Sequence, residues 1–282
     1  MKLTMEKIRK SLITLGIWLA AQFIVTIILV GGSMITGGSA NDAIAPALAI
    51  SDAIVILSLF ILRYCRVSEF FQKINPRLFF YSVVFGFFGL YLVDLLMSSV
   101  EIPNYLEDTF RNMAKSSWGF IGICLIGPVM EEMMLRRVIM KEMAALTKSD
   151  WGGILISASL FAIIHINPIQ VVFALPAGIV LGWLYYKTGR IIVPAAVHVL
   201  NNTVAFIQIK FQDTWDMEEA LNSNDILKYT LIILCLILTA LSLVEILRLV
   251  KQQQNVEPAP EVQENKPADT HNGTFDGNNY EK

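Results

Sequence analysis

The sequence predicts an all-α protein, a polytopic membrane bundle of about eight transmembrane helices with both termini on the cytoplasmic side. Three observations predict it. Of 282 residues, 55% are hydrophobic and 16% charged, against ~45–50% and ~25% in globular chains. The apolar excess falls in blocks of about 18 to 20 residues, the length a helix needs to cross a ~30 Å hydrocarbon core. Lysine and arginine concentrate in alternate connections, as the positive-inside rule requires.

The first predicted span, Ser11–Val30, follows Lys2, Lys7, Arg9 and Lys10. A basic start and an apolar run also describe a signal peptide, and the small residues from Gly37 to Ala40 resemble a cleavage site. The run is 20 residues long, however, against ~7–15 for a signal core, so it reads as a retained helix. Further spans are expected at Ala45–Leu62, Leu78–Met97, Trp118–Met140, Gly153–His165, Ile169–Tyr186, Ile191–Ile209 and Tyr229–Leu247.

With the N-terminus inside, cytoplasmic segments hold Lys2, Lys7, Arg9, Lys10, Arg63, Arg66, Lys73, Arg77, Arg136, Arg137, Lys141, Lys148, Lys187, Arg190, Arg248 and Lys251; the other side holds Arg111, Lys115, Lys210 and Lys228. This sixteen-to-four split orients the bundle. Spans 1–3 occupy 1–117, a central group of four spans occupies 118–209, and an external loop with the last span occupies 210–251. The polar segment 252–282, which carries His271 without an assigned role, cannot bury a core and reads as a disordered cytoplasmic tail.

The span Gly153–His165 is short and meets Asn167-Pro168, where proline disfavours helix in the preceding residue. Ala174, Gly178 and Gly182 recur every fourth residue, a spacing that lets two helices approach closely. The acidic stretch Phe211–Asp225 reads as a solvated outer loop. Net charge is −2, which gives no case for nucleic acid. Cys65, Cys124 and Cys235 form no CxxC pair or disulfide framework and read as small apolar residues.

Glu131 and Glu132 break this pattern. Thirteen uncharged residues, Trp118 to Met130, precede them, and one ionisable group at the bilayer centre costs ~2.5–3.5 kcal/mol on insertion scales. Arg136 lies one helical turn beyond Glu132. His165 follows Phe161 by four residues, and Asn202 follows His198 by four, so each pair shares a helix face. Any one histidine in such a helix is more often an interhelical hydrogen-bonding group. Two carboxylates, two histidines and an asparagine on neighbouring spans point to chemistry. Asp52 and Asp94 also lie within spans but show no histidine or arginine partner in sequence and stay unassigned.

The ordered set Glu131-Glu132-Met-Met-Leu-Arg136, Phe161-Ala-Ile-Ile-His165 and His198-Val-Leu-Asn-Asn202 resembles the EExxxR, FxxxH and HxxxN motifs of the CPBP family of intramembrane proteases. That family includes CAAX prenyl endopeptidases of the Ras-converting type and bacterial Abi proteins. The resemblance covers about a third of the chain, 118–209, with no departure at the motif positions. It implies a CAAX-protease-like intramembrane endopeptidase, in the metalloprotease class or outside it, acting on a membrane-associated protein or peptide in the cell membrane. Glu131, His165, His198 and Asn202 would be catalytic, with Glu132 sharing or supporting the work and Arg136 and Phe161 supporting.

The chain has no GxSxG elbow, no Cys–His nucleophile motif near a span and no HExxH helix, which favours an activated water. Two versions stay open. In one, Glu131, held by His165, is the general base, and His198 and Asn202 donate to the oxyanion. In the other, Glu131, His165 and His198 hold zinc and Glu132 is the base. Two other functions compete: an Abi-type bacteriocin self-immunity or peptide-processing protein, and a proton-coupled transporter using the same ionisable groups as a relay. A transporter would commonly carry an internal repeat, and the ionisable groups instead cluster in one half.

Overall fold

The computed structural model describes residues 2–97 and 100–256, and every regular element among them is helical. The long helices are α1 (Met5–Ile35), α2 (Ala40–Ile61), α3 (Pro76–Met97), α5 (Ser117–Thr147), α7 (Pro168–Thr188), α8 (Ile192–Phe211) and α10 (Asp225–Val256), and these seven are long and apolar enough to cross a bilayer. The eighth predicted span is α6 (Asp150–Ile163), at 14 residues about 21 Å long by the helical rise, short of full hydrocarbon thickness. Two short helices, α4 (Glu107–Met113) and α9 (Met217–Asn222), lie in connections at one end. The chain is a polytopic helical bundle and a multi-pass membrane protein. The tail expected from 252 continues α10 as far as Val256; the rest of it lies outside the described residues.

The outer surface is that of a lipid-facing protein. Phe23 is 70% exposed on α1, and on α10 Ile233, Leu236 and Leu241 are all at least half exposed. In water such a belt would drive association; in hydrocarbon it costs nothing. Burial is concentrated on α5, where Met133, Met134, Leu135, Val138 and Ile139 are closed off at the bundle centre.

Polar contacts define the two ends of the bundle. At one end Lys10 pairs with Glu142 at 2.7 Å, Arg137 forks onto Glu69, and Arg190 donates to the Lys73 carbonyl and to Gln72. These are the loops that the basic-residue bias puts in the cytoplasm. At the other end the Asn167 side chain accepts from the Tyr105 amide and donates to Asn104, and Arg111 pairs with Asp213 at 3.1 Å.

The small-residue stripe does what its spacing predicts. A Cβ on Gly178 would stand 2.8 Å from the Ala158 Cα and 3.2 Å from Phe161, and one on Gly182 would stand 3.3 Å from Ile154. α7 therefore lies almost backbone to backbone on α6 and holds Phe161 from behind. The outer acidic stretch differs from its expected solvated loop. Within α9, Leu221 is buried with Leu95 and Cys235, and Met217 packs against the same cluster. An apolar pair four residues apart overrides the acidic composition and pins the segment to the bundle.

Candidate active site

α5 carries the two glutamates between two π-helical stretches, Phe120–Ile126 and Met133–Met140. Pro128 supplies a cause for the first: it has no N–H to return to the Cys124 carbonyl, so the α ladder cannot run through unbroken. The wider turns leave backbone carbonyls short of partners, and side chains from neighbouring helices fill in. Asn202 donates from Nδ2 to the Ile123 carbonyl at 3.0 Å, and Ser157 donates to the Leu135 carbonyl at 3.1 Å. The π turns thus fix α8 and α6 against α5 beside the glutamates, in keeping with the frequent placement of such turns at functional sites.

Glu132 and Arg136 are both fully buried and approach at 3.1 Å. The contact is Coulombic and is not aligned as a hydrogen bond: the Arg136 Nε, Nη1 and Nη2 and the Glu132 Oε2 have no hydrogen-bond partner. The guanidinium also lies over the Phe161 ring, 4.7 Å from its centroid, where the π face offers a second stabilisation of the charge.

The other Glu132 oxygen, Oε1, accepts from His198 Nδ1 at 3.0 Å. A carboxylate can only accept, so this contact places a proton on Nδ1 and aims Nε2 away from Glu132. His198 Nε2 then stands 3.6 Å from Glu131 Oε2. The four groups run in series: Arg136, Glu132, His198, Glu131. Glu132 is closed to solvent, whereas the Glu131 side chain keeps 20% of its exposure. Adjacent residues thus have different access.

His165 sits at the break between α6 and α7. Its Nδ1 donates to the Phe161 carbonyl at 2.7 Å, which leaves Nε2 as the other face of the ring. The Phe161 ring meets both imidazoles edge to face, at 4.9 Å from His165 and 5.4 Å from His198. The predicted break at Asn167-Pro168 is present, and Ile166 adopts φ 61°. A β-branched residue in the left-handed region is strained. The Asn167 contacts to Tyr105 and Asn104, and Pro168 at the start of α7, hold it there. Strain of this kind gathers at functional sites.

His165, His198, Asn202 and Phe161 line one cavity of about 480 Å³ between α3, α7 and α8, within the ~300–1,000 Å³ range of ligand sites. All the predicted site residues therefore gather in one region, but their pairing differs from the sequence reading. His198, not His165, contacts Glu131, and Glu132 links His198 to Arg136. Asp52, which had no partner in sequence, also belongs here. It is buried, accepts from Gln22 at 2.7 Å, and its Oδ2 lies 3.4 Å from a Cβ at Gly127, one turn before Glu131.

A catalytic zinc site needs three protein ligands converging at ~2.0–2.2 Å. Among the described residues no three histidine, cysteine or acidic side chains converge to hold a metal ion. Glu132 is engaged by Arg136 and His198, and the two histidines are turned by different anchors. As placed, Glu131, His165 and His198 do not form such a converging set.

Residues 113–204 match the model of the family described as Rce1-like, type II CAAX prenyl endopeptidase. Neither curated proteins nor solved structures give a significant match. The matched segment opens just before α5 and closes just after Asn202, so it contains the three motifs, the whole of α5, α6 and α7, and the first part of α8. Over this third of the chain the protein is similar to the type II CAAX prenyl endopeptidases, in keeping with the family its motifs resemble.

Proposed function

We propose that the chain hydrolyses peptide bonds of a membrane-associated protein or peptide in the cell membrane, using water activated by Glu131 and no metal. The observation that carries this is the Arg136–Glu132–His198–Glu131 series, which ends at a half-buried carboxylate and an oriented imidazole. Glu132 plays towards His198 the part an acidic residue plays in a hydrolase triad: it sets the tautomer and supports the imidazolium.

In the reaction, Glu131 takes a proton from water as the water oxygen bonds to the scissile carbonyl carbon. Negative charge moves to the carbonyl oxygen. Protonated His198 donates to it from Nε2, and the second N–H of Asn202 Nδ2 is free to do the same while the first stays on Ile123. On collapse the C–N bond breaks, and Glu131 returns its proton to the leaving nitrogen. His165 Nε2 faces the same cavity and is placed to hydrogen-bond the leaving side of the substrate. Apo contacts of this kind commonly tighten only with substrate bound, which accommodates the 3.6 Å separation of Glu131 and His198.

The test uses detergent-purified protein and quenched fluorogenic peptide pools, with and without a prenylated cysteine. Parent protein should cleave a member of the pool, and Glu131→Gln and His198→Gln should each lower kcat at least a thousandfold. Variants that cleave as fast as the parent would end the proteolytic reading.

A further inference from the structure

The cavity has a direction. Its walls come from the second half of α3, beyond Phe87, the first half of α7, up to Leu181, and the second half of α8, beyond His198. Its rim is Val100 and Ile102 after α3, and Gln212, Trp215 and Met217 after α8. All of these halves and rim residues lie at the bundle end marked by the Asn167–Tyr105 and Arg111–Asp213 contacts. The loops 62–75, 148–149 and 189–191, at the other end, contribute nothing to its lining.

The two ends differ in charge. Among the described residues the closed end carries Arg63, Arg66, Lys73, Lys141, Lys148 and Arg190 with others, and the open end carries only Arg111, Lys115, Lys210 and Lys228. Arg136 is a buried site residue and leaves the count without changing its sign. Arg137 is paired to Glu69 of the closed-end loop and stays in it. Positive loops remain in the cytoplasm, so the closed end is cytoplasmic and the cavity opens on the opposite face.

We infer that this site takes its substrate from the non-cytoplasmic side, as an extended segment of an exported or membrane-anchored peptide. The inference rests on the proteolytic reading for the word substrate, but the direction of the opening stands on charge and geometry alone. The wall chemistry suits such a segment. Leu90, Phe173 and Leu181 offer apolar contact, while Gln170, Asn201 and Gln208 can pair with an extended backbone. Trp215, 57% exposed, and Val100, 52% exposed, form an apolar lip at the opening. A lipidated tail finished in the cytoplasm would meet the closed end.

Two measurements decide it. Cys65, Cys124 and Cys235 are buried, so single added cysteines give a clear signal. In intact cells a membrane-impermeant maleimide should label Trp215→Cys at the rim and Gln208→Cys in the wall, and should reach Lys73→Cys only after permeabilisation. The reverse pattern overturns the inference whether or not the protein cleaves peptides. Water-soluble fluorogenic peptides are then offered to right-side-out and inverted membrane vesicles. Cleavage sensitive to Glu131→Gln from the right-side-out face supports it; cleavage confined to inverted vesicles refutes the direction and leaves the proteolytic reading standing. Labelling from outside with no cleavage in either vesicle or in detergent sinks the proteolytic reading and, with it, the substrate assignment.

Discussion

Arg136→Met should destabilise the fold more than any surface change, and the pairing says by how much. Arg136 and Glu132 are fully buried and 3.1 Å apart. At an effective dielectric constant of ~20 their attraction is about 5 kcal/mol. That attraction offsets a desolvation penalty of several kcal/mol for each ion, so the intact pair contributes little net stability. Removing the arginine leaves the Glu132 penalty without its offset, and breaking such a pair costs ~3–5 kcal/mol. His198 still donates to Glu132 at 3.0 Å, which argues for the lower end, about 3 kcal/mol. At ~2–4 °C per kcal/mol for chains of this size, the expected loss is about 6–12 °C in Tm. Tryptophan fluorescence during heating of the detergent-purified protein reads it directly. The double variant Glu132→Gln/Arg136→Met removes both charges and should recover most of the loss. It should not recover activity, because His198 would face an uncharged amide instead of a carboxylate. Two results would refute the reasoning: a single variant melting within 2 °C of the parent, or a double variant melting as low as the single.

Asn202→Ala should lower kcat by ~10²–10³ with little change in KM, the effect of losing one oxyanion donor; a loss under threefold in steady-state kinetics would remove Asn202 from that role. Dialysis against a zinc chelator should leave the cleavage rate within twofold of the untreated protein, whereas a loss restored by added zinc would show that the donors rearrange around a metal. The Glu69 carboxyl is raised by burial, but hydrogen bonds and charge from Arg137 outweigh this and hold it below its ordinary value of 4.5. A depressed carboxyl contributes stability that is complete above its unfolded value and is lost as pH falls through the lowered one. Melting temperature should therefore fall on acidification below that ordinary value, and in Arg137→Met this part of the profile should flatten.

The sequence showed what is periodic or local. Apolar blocks marked the spans, the Ala174–Gly178–Gly182 spacing marked a close helix crossing, and the four-residue step from Glu132 to Arg136 marked their ion pair. Contacts between distant segments carried no such signal. Nothing local pairs Glu132 with His198, 66 residues away, so nothing in the sequence favours His198 over His165 as the imidazole beside Glu131. The π turns leave no periodic trace in α5, and Pro128 is the one local sign of the first of them. Asp52 looked isolated because its partner is Gln22 on another helix. The Phe211–Asp225 stretch was read by its charge, while Met217 and Leu221 carried the opposite message.

The adjacent glutamates owe their tolerance in an apolar helix to a division of labour. Consecutive side chains on a helix point in different directions, so Glu132 turns into the bundle and Glu131 toward the histidine that lines the cavity. Only the inward one can be compensated by a fixed cation, and Arg136 one turn on supplies it. That neutralised pair then has a second use, because the free Glu132 oxygen holds His198 in one tautomer. Within the series the direct contact of Glu131 is the His198 imidazole, with the Asp52 carboxylate also near. Glu131 is the more exposed of the two glutamates and the one beside the imidazole that lines the cavity. A base must gain and lose a proton in each cycle, and a structural anchor must not. In the proposed mechanism the same sequence pair supplies both, and the arginine decides which is which.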